Sequence, residues 1–525
     1  AYEIYQCDWS SDVCSSDLCE ALWQLSHRLR LKLTSLVKAK GNGADYLGER
    51  NVRPGFRAPT MSFVSPEFAF VALLFYPLYW LLKPYREAQM MLLLFSSYLL
   101  YATWSVEFAV ILFLFSSYIW LAGWWLSGLQ PGKRRVFCCA CGLAMSLMVL
   151  VATKYYSFSR EMLVALFPSL GQSGVLPIVD IVAPAGISFF TFQAITYLMW
   201  EYEEHVGRLR FTHLLLFLSF WPTLFAGPIL RAKDFFRQLQ GDEIGAPKEV
   251  ERAAYYLILG LTQKLVLANW LAMTFVDEGF RYPDSQSTVA TAAIIVAYSL
   301  QIFFDFAGYT LIVTALALLL GFSLPVNFRQ PYLAANLGEF WRRWHVSLSF
   351  FIRDYVYIPL GGNRHGFFRA QLNILIAMVI SGLWHGANTT FVVWGWMHGL
   401  GVVGVNIVHR YSRLSIPTGI ANAITLLYVG VAWVFFRADS WETAISLLRN
   451  LGLGSGDMTV SHACLCVLAV TYLAAAHYAA EIEEAVVAFL RSLSPVALAS
   501  LATVALYLII LFGPSGVPGF IYYQF

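Results

Sequence analysis

Charge is what this 525-residue sequence has least of: Asp, Glu, Lys and Arg make up 13% of it, against 58% hydrophobic residues. A soluble globular chain carries roughly 25% charged residues, so the low value excludes a soluble multidomain protein and makes lipid the main solvent. The net charge of +3 is too small for a nucleic-acid partner, and the basic residues fall in short clusters between apolar runs, as membrane topology requires. Cysteine is equally uninformative as a scaffold. Of the eight, Cys138, Cys139, Cys141, Cys464 and Cys466 lie in strongly apolar segments, which suits small packing residues rather than a disulfide framework. No histidine or second cysteine pair stands near Cys138–Cys141 at zinc-ligand spacing, and no metal site is expected. The chain also lacks a Gly-x-Ser-x-Gly elbow and a phosphate-binding Walker loop, which argues against the familiar hydrolase and ATPase classes.

Long apolar runs, by contrast, recur from Phe68 to Phe512. A helix needs about 20 such residues to cross a bilayer core. Candidate spans lie near 66–83, 89–104, 107–127, 136–153, 185–200, 211–230, 252–275, 288–306, 308–322, 371–386, 389–408, 418–436, 461–480 and 495–513. The expectation is an all-α polytopic integral membrane protein of roughly 11–14 membrane helices or re-entrant segments, with interfacial amphipathic helices. Lys83 with Arg86, and Lys133 with Arg134 and Arg135, mark two cytoplasmic loops by the positive-inside rule. Simple alternation would then put Arg231, Lys233 and Arg237 outside, so one segment is expected to be re-entrant. Pro168, Gly171, Gly174 and Pro177 point to 168–177 as the place. Residues 1–60 are polar, carry the near-duplicates Ser10-Ser11-Asp12 and Ser15-Ser16-Asp17, and read as an extension foreign to the fold. Met61 opens the native pattern of a single membrane domain, 61–525.

Two segments carry chemistry. Phe340-Trp341-Arg342-Arg343-Trp344-His345, running on through Arg353-Asp354-Tyr355 to Asn363-Arg364, is too charged to span lipid. As one helix it places Trp341, Trp344, Leu348, Phe351 and Tyr355 on one stripe and Arg342, Ser349 and Arg353 on another. That is the pattern of an interfacial anchor, and it also suits an anion-binding rim. The second is Ile380-Ser381-Gly382-Leu383-Trp384-His385-Gly386-Ala387-Asn388. An ionisable side chain at the end of an apolar run is costly and marks a functional site, unless it is a hydrogen-bonded core histidine. Gly386 and Ala387 leave room beside the ring for a substrate, and Asn388 stands one turn on, if the helix continues. His398 follows thirteen residues later. Steps of about 100° put the two rings on different faces of a continuous helix, so they approach only if residues 386–388 break it.

Phe340–Arg364 followed by Leu383–Asn388 resembles the membrane-bound O-acyltransferases, and within them the bacterial alginate O-acetyltransferase branch. The likeness extends to Gly186-Ile187-Ser188-Phe189-Phe190-Thr191-Phe192-Gln193, Ala226-Gly227-Pro228-Ile229, Gln301–Tyr309 with Asp305 inside it, Pro325-Val326-Asn327-Phe328, and Trp433–Ala438. It covers the chain from about Met61 to its end. The branch usually continues after Tyr309 with a small residue and an aspartate, where this chain has Thr310-Leu311-Ile312, and Glu201 stands where aspartate is usual.

The resemblance implies an O-acetyltransferase of the bacterial inner membrane. His385 would be the base, with Asn388 and His398 orienting it or touching substrate. Arg342, Arg343, Trp344, His345, Arg353, Asp305 and Trp384 would bind substrate. It also implies acetyl-CoA as acyl donor with no bound cofactor, a polysaccharide acceptor such as alginate or another envelope glycan, and a periplasmic acetyltransferase partner. A transporter would show paired broken spans in two related halves, and a non-catalytic scaffold would tolerate loss of His385.

Overall fold

The computed structural model describes residues 61–513, apart from 173–182, 242–245, 413, 414, 453 and 455. The 1–60 segment lies outside the described residues. What is described is all-helical. Among the described residues, nine helices are long and apolar enough to cross a bilayer: Val106–Ser127, Lys133–Lys154, Val250–Arg281, Thr288–Leu319, Phe367–His385, Thr389–Tyr411, Thr418–Arg437, Val460–His477 and Pro495–Phe512. Pro66–Leu81, Arg86–Ala102 and Ile187–Glu204 lie among them.

Thr288–Leu319 is the centre. The sequence pattern divides it into spans at 288–306 and 308–322, but it is one helix of 32 residues, and 83% of its most apolar window is buried inside the protein. Its apolar run therefore reflects protein on all sides rather than two passages through lipid. Val250–Arg281 packs along it through Gly260 and Gly308. A Cβ on Gly260 would stand 2.7 Å from the Gly308 carbonyl oxygen, and one on Gly308 2.8 Å from that of Gly260. This backbone contact, typical of small residues between membrane helices, brings Lys264 of the π-helical turn Thr262–Ala268 onto Asp305.

The segment 211–230 turns back; the 168–177 stretch lies in part outside the described residues. Phe211–Ser219 stops at Phe220, and the short Trp221–Leu224 turn begins with Pro222 in its first positions. A proline cannot continue the preceding helix hydrogen bonds. Both ends of the segment return to the same face: Arg210 pairs with Glu87, Lys233 with Glu204 at 2.5 Å, and Arg86 Nη2 donates to the Leu239 carbonyl at 3.3 Å. Arg135 joins this face by donating to the carbonyls of Leu126 and Leu129 at 3.0 and 2.9 Å and of Glu201 at 2.5 Å. The clusters at Lys83–Arg86, Lys133–Arg135 and Arg231–Arg237 thus meet on one side, as the positive-inside rule expects of cytoplasmic loops.

The topology has a direct test. In a background whose native cysteines are replaced by serine, Arg134→Cys and Arg237→Cys should react with a membrane-impermeant maleimide from the cytoplasmic side only. Asp439→Cys should react from the opposite side only. Labelling of positions 134 and 237 from opposite sides would contradict the turn at 220–222.

Candidate active site

The Phe367–His385 and Thr389–Tyr411 helices form a hairpin broken at Gly386, whose backbone is extended. Gly382, Gly395 and Gly399 let the two arms touch: a Cβ on Gly395 would lie 2.6 Å from the Met378 carbonyl oxygen. A Cβ on Gly386 would meet the Phe391 ring at 2.4 Å. The room expected beside His385 at Gly386 is therefore filled by Phe391, whose ring centroid is 6.3 Å from that of His385.

The break does bring the two histidines together around one ring. Trp394 lies edge-on to His385 at 5.1 Å and to His398 at 4.7 Å, centroid to centroid. Phe436, from the Trp433–Ala438 motif, closes another side of His385 at 4.9 Å. His385 is 3% exposed and His398 0%. Trp341 Nε1 donates to His398 Nδ1 at 3.3 Å. An indole nitrogen can only donate, so neutral His398 carries its proton on Nε2.

Sequence reasoning takes 341–355 as one interfacial helix, and this is corrected. Leu337–Arg343 ends at Trp344, His345 has a left-handed φ of 42°, and a second helix runs Val346–Ile352. Trp341, Trp344, Leu348 and Phe351 are all buried, so the stripe faces protein rather than the headgroup level. Asn327 makes the break. Its carbonyl accepts from Val346 N at 2.9 Å, and its Oδ1 accepts from Ser347 N at 3.2 Å and from Ser347 Oγ at 2.9 Å, which satisfies amides that a new helix start would leave open.

The same Oδ1 lies 3.2 Å from His345 Nδ1. Since Ser347 N–H identifies that atom as oxygen, His345 Nδ1 must donate to it. The fully buried His345 therefore presents an unprotonated Nε2 with no hydrogen-bond partner among the described residues. Burial also lowers its pKa, holding the ring neutral. The turn's composition does not announce this tautomer. Only the convergence of Asn327 and His345, eighteen positions apart, reveals it.

The other motifs close around Trp384, which lies 5.8 Å from His345 and 4.8 Å from His385, centroid to centroid. Phe189 and Phe192 of the 186–193 motif each pack on it at 5.7 Å. Ile229 N donates to Ser347 Oγ at 3.0 Å. The result is a dry aromatic cluster holding three buried histidines.

Not every expected residue belongs to it. Asn388 is spent elsewhere: its Oδ1 accepts from Thr390 N at 3.1 Å, capping the second arm of the hairpin, and its Nδ2 donates to the Asp439 carbonyl at 2.9 Å. Its expected role of orienting His385 is replaced by that of a helix cap, because the helix stops before it. Asp305 forms a buried ion pair with Lys264, the two side chains 8% and 3% exposed. Arg343 Nη2 is paired with Glu339 at 2.5 Å. Arg353 Nε pairs with Asp354 at 2.7 Å, and Arg231 reaches the same carboxylate at 2.6 Å. Arg342 is exposed. Of the expected arginine rim, two members are thus already committed to carboxylates.

Sequence reasoning missed Lys154 and Tyr155, which carry no motif. Lys154 Nζ donates to the carbonyls of Trp384 at 2.6 Å and His385 at 3.2 Å, and Tyr155 Oη donates to that of Leu383 at 2.6 Å.

The model of MBOAT, the membrane-bound O-acyltransferase family, matches residues 146–440, which holds all three histidines. The chain belongs to this family. The acyltransferase is 36% identical over 401 residues to the probable alginate O-acetylase AlgI of Pseudomonas aeruginosa, covering 73% of each chain. It is 30% identical over 421 residues to the peptidoglycan O-acetyltransferase of Helicobacter pylori, 73% of this chain and 78% of that one. It is 32% identical over 232 residues to the teichoic acid D-alanyltransferase of Streptococcus thermophilus, 42% of this chain and 55% of that one. The protein is therefore a multi-pass membrane enzyme that transfers acyl groups to oxygen.

Two changes separate scaffold from site. Asn388→Ala should cost about 0.5–2 kcal/mol of stability through loss of a cap, seen as a lower unfolding temperature in detergent, while Asn388→Asp keeps the acceptor for Thr390 N but loses the donor to the Asp439 carbonyl and should recover only part of it. Lys264→Met alone strands a buried carboxylate and should cost roughly 3–5 kcal/mol. The double change Lys264→Met with Asp305→Leu should recover most of that loss in the same measurement.

Proposed function

We propose that this acyltransferase takes acetyl groups from a cytoplasmic thioester, acetyl-CoA, and passes them through the bacterial inner membrane for O-acetylation of an exopolysaccharide such as alginate or another envelope glycan. The observation that carries the reading is the pair His345 and His385, both buried against Trp384 at two helix breaks, within an O-acyltransferase family domain. The acetyl group and the glycan acceptor are supported by the likeness to the alginate O-acetylase and the peptidoglycan O-acetyltransferase.

His385 acts as the base. Attack of a hydroxyl on the thioester carbonyl needs its proton removed as the new C–O bond forms. The imidazole takes that proton, the tetrahedral intermediate collapses with cleavage of the C–S bond, and the departing thiolate receives the proton back. His345, its Nδ1–H held by Asn327, lines the same site with a basic Nε2, and Trp384 forms the shared wall. The rings of Trp394 and Phe436 exclude water, which strengthens every polar interaction with the transition state and suppresses thioester hydrolysis. Donor phosphates approach from the cytoplasmic face, where exposed Arg342 and half-exposed Arg353 supply positive charge. The acceptor glycan lies outside, so a separate periplasmic acetyltransferase completes delivery.

The test is base-labile acetate on envelope polysaccharide of a deletion strain carrying the wild-type chain or its His385→Ala variant at matched membrane abundance. Wild type should restore acetate and His385→Ala should lower it at least about 100-fold, the scale of a lost general base. Equal restoration by both would remove His385 from the chemistry and favour a scaffold.

A further inference from the structure

The end of the Phe367–His385 helix is held from outside the hairpin. Beyond His385 the chain is extended at Gly386, so the helix carries no further turn that could occupy its last carbonyls in the regular way. Three consecutive carbonyls, of Leu383, Trp384 and His385, instead accept from two adjacent residues at the end of another helix, Lys154 and Tyr155. Lys154 Nζ also lies 5.9 Å from the centroid of the Trp384 ring, and a cation at this point complements the negative end of the helix dipole.

The rings around His385 are Trp384, Trp394, Phe391 and Phe436. Two other groups set where its backbone stands. Phe391 fills the space that a side chain on residue 386 would need, and the Lys154–Tyr155 pair grips the carbonyls.

We propose that Lys154 and Tyr155 are positioning residues for His385, setting the depth and direction of its imidazole through direct hydrogen bonds to the carbonyls of residues 383–385. The inference rests on the reading of His385 as the reacting base. Neither residue touches substrate. Lys154 contributes the stronger restraint because a charged donor shared between two carbonyls is stronger than a neutral one, and Tyr155 fixes the turn before it. A displacement of about 1 Å at a reacting group can cost on the order of 100-fold in rate, so loosening the grip should lower turnover without changing donor affinity.

The experiment uses the full chain in envelope vesicles of the deletion strain, with a fixed excess of its deacetylated envelope polysaccharide as the hydroxyl acceptor, acetyl-CoA as the donor probe and free thiol release as the readout. Wild type, Lys154→Met, Lys154→Arg, Tyr155→Phe and His385→Ala are compared at equal folded abundance, judged by size-exclusion profile and unfolding temperature. Lys154→Met should lower kcat about 10–100-fold with KM for acetyl-CoA within about 2-fold of wild type. Tyr155→Phe should lower kcat less, by about 3–10-fold on the same argument. Lys154→Arg, which restores a charged donor, should recover most of the turnover.

Should Lys154→Met fold poorly, Lys154→Cys aminoethylated after folding supplies the same ammonium at nearly the same reach, and its turnover should rise on treatment while treated wild type stays unchanged. Wild-type kcat in Lys154→Met would overturn the proposal, as would failure of both arginine and aminoethylation to restore a folded variant. If His385→Ala retains thiol release, the reading of His385 as base has failed. If only His385→Ala is inactive and every Lys154 variant turns over normally, the positioning proposal alone has failed.

Discussion

Backbone carbonyls and amides inside a bilayer have no water to turn to, and each one left open costs several kcal/mol. A membrane helix can therefore stop inside the protein only where another part of it supplies donors and acceptors. This acyltransferase places its buried histidines at two such stops. At His385 the donors come from Lys154 and Tyr155. At His345 both the acceptor for the ring and the acceptors for the following amides come from Asn327. The same device closes the central helix, where Tyr76 Oη and Trp80 Nε1 donate to the carbonyls of Leu316 and Leu319 at 2.8 and 3.0 Å. Tyr101 Oη does so for Ala185, ahead of the Ile187–Glu204 helix. The aromatic residues, 16% of the chain, thus include many whose polar tip closes a helix end while the ring fills the core.

The buried charges follow the same rule. Lys264 meets Asp305 across the glycine contact of two helices. Arg135 spends its guanidinium largely on carbonyls near Glu201, whose own carboxylate stands 3.9 Å away and accepts from Gly207 N. Both pairs lie in the body of the protein and fix helix positions. The aromatic cluster around Trp384 instead gathers the imidazoles of His345, His385 and His398, with the Lys154 ammonium on the carbonyls of Trp384 and His385. Neutral imidazoles suit proton removal from a hydroxyl.

What was legible in the sequence varied with the range of the interaction responsible. His385 stood out because an ionisable side chain at the end of an apolar run is visible in a nine-residue window, and a break at 386–388 was legible only as the condition for His385 and His398 to meet. The expectation for Asn388 failed for the same local reason: one turn along a helix means nothing where the helix ends. The turn at 220–222 was hidden because Phe211–Leu224 reads as one apolar run, its one proline notwithstanding. Thr288–Leu319 was divided in two because hydropathy cannot tell protein from lipid as the apolar surrounding. Lys154 and Asn327 carried no signal as site residues, since their partners lie about 230 and 18 positions away.

Composition and periodicity by themselves determined that the chain lives in a bilayer, that it is helical, and which face holds its basic loops, because transfer of charge and of open backbone groups into hydrocarbon is penalised residue by residue. Motif likeness added the family and pointed to His385. Only the tertiary structure decided which polar groups meet: His345 with Asn327, His398 with Trp341, Lys154 with the carbonyls of Trp384 and His385. Those pairings depend on distances between helices far apart in the chain, and a hydrogen bond's steep dependence on distance and angle is a property of that arrangement, which no local window of sequence contains.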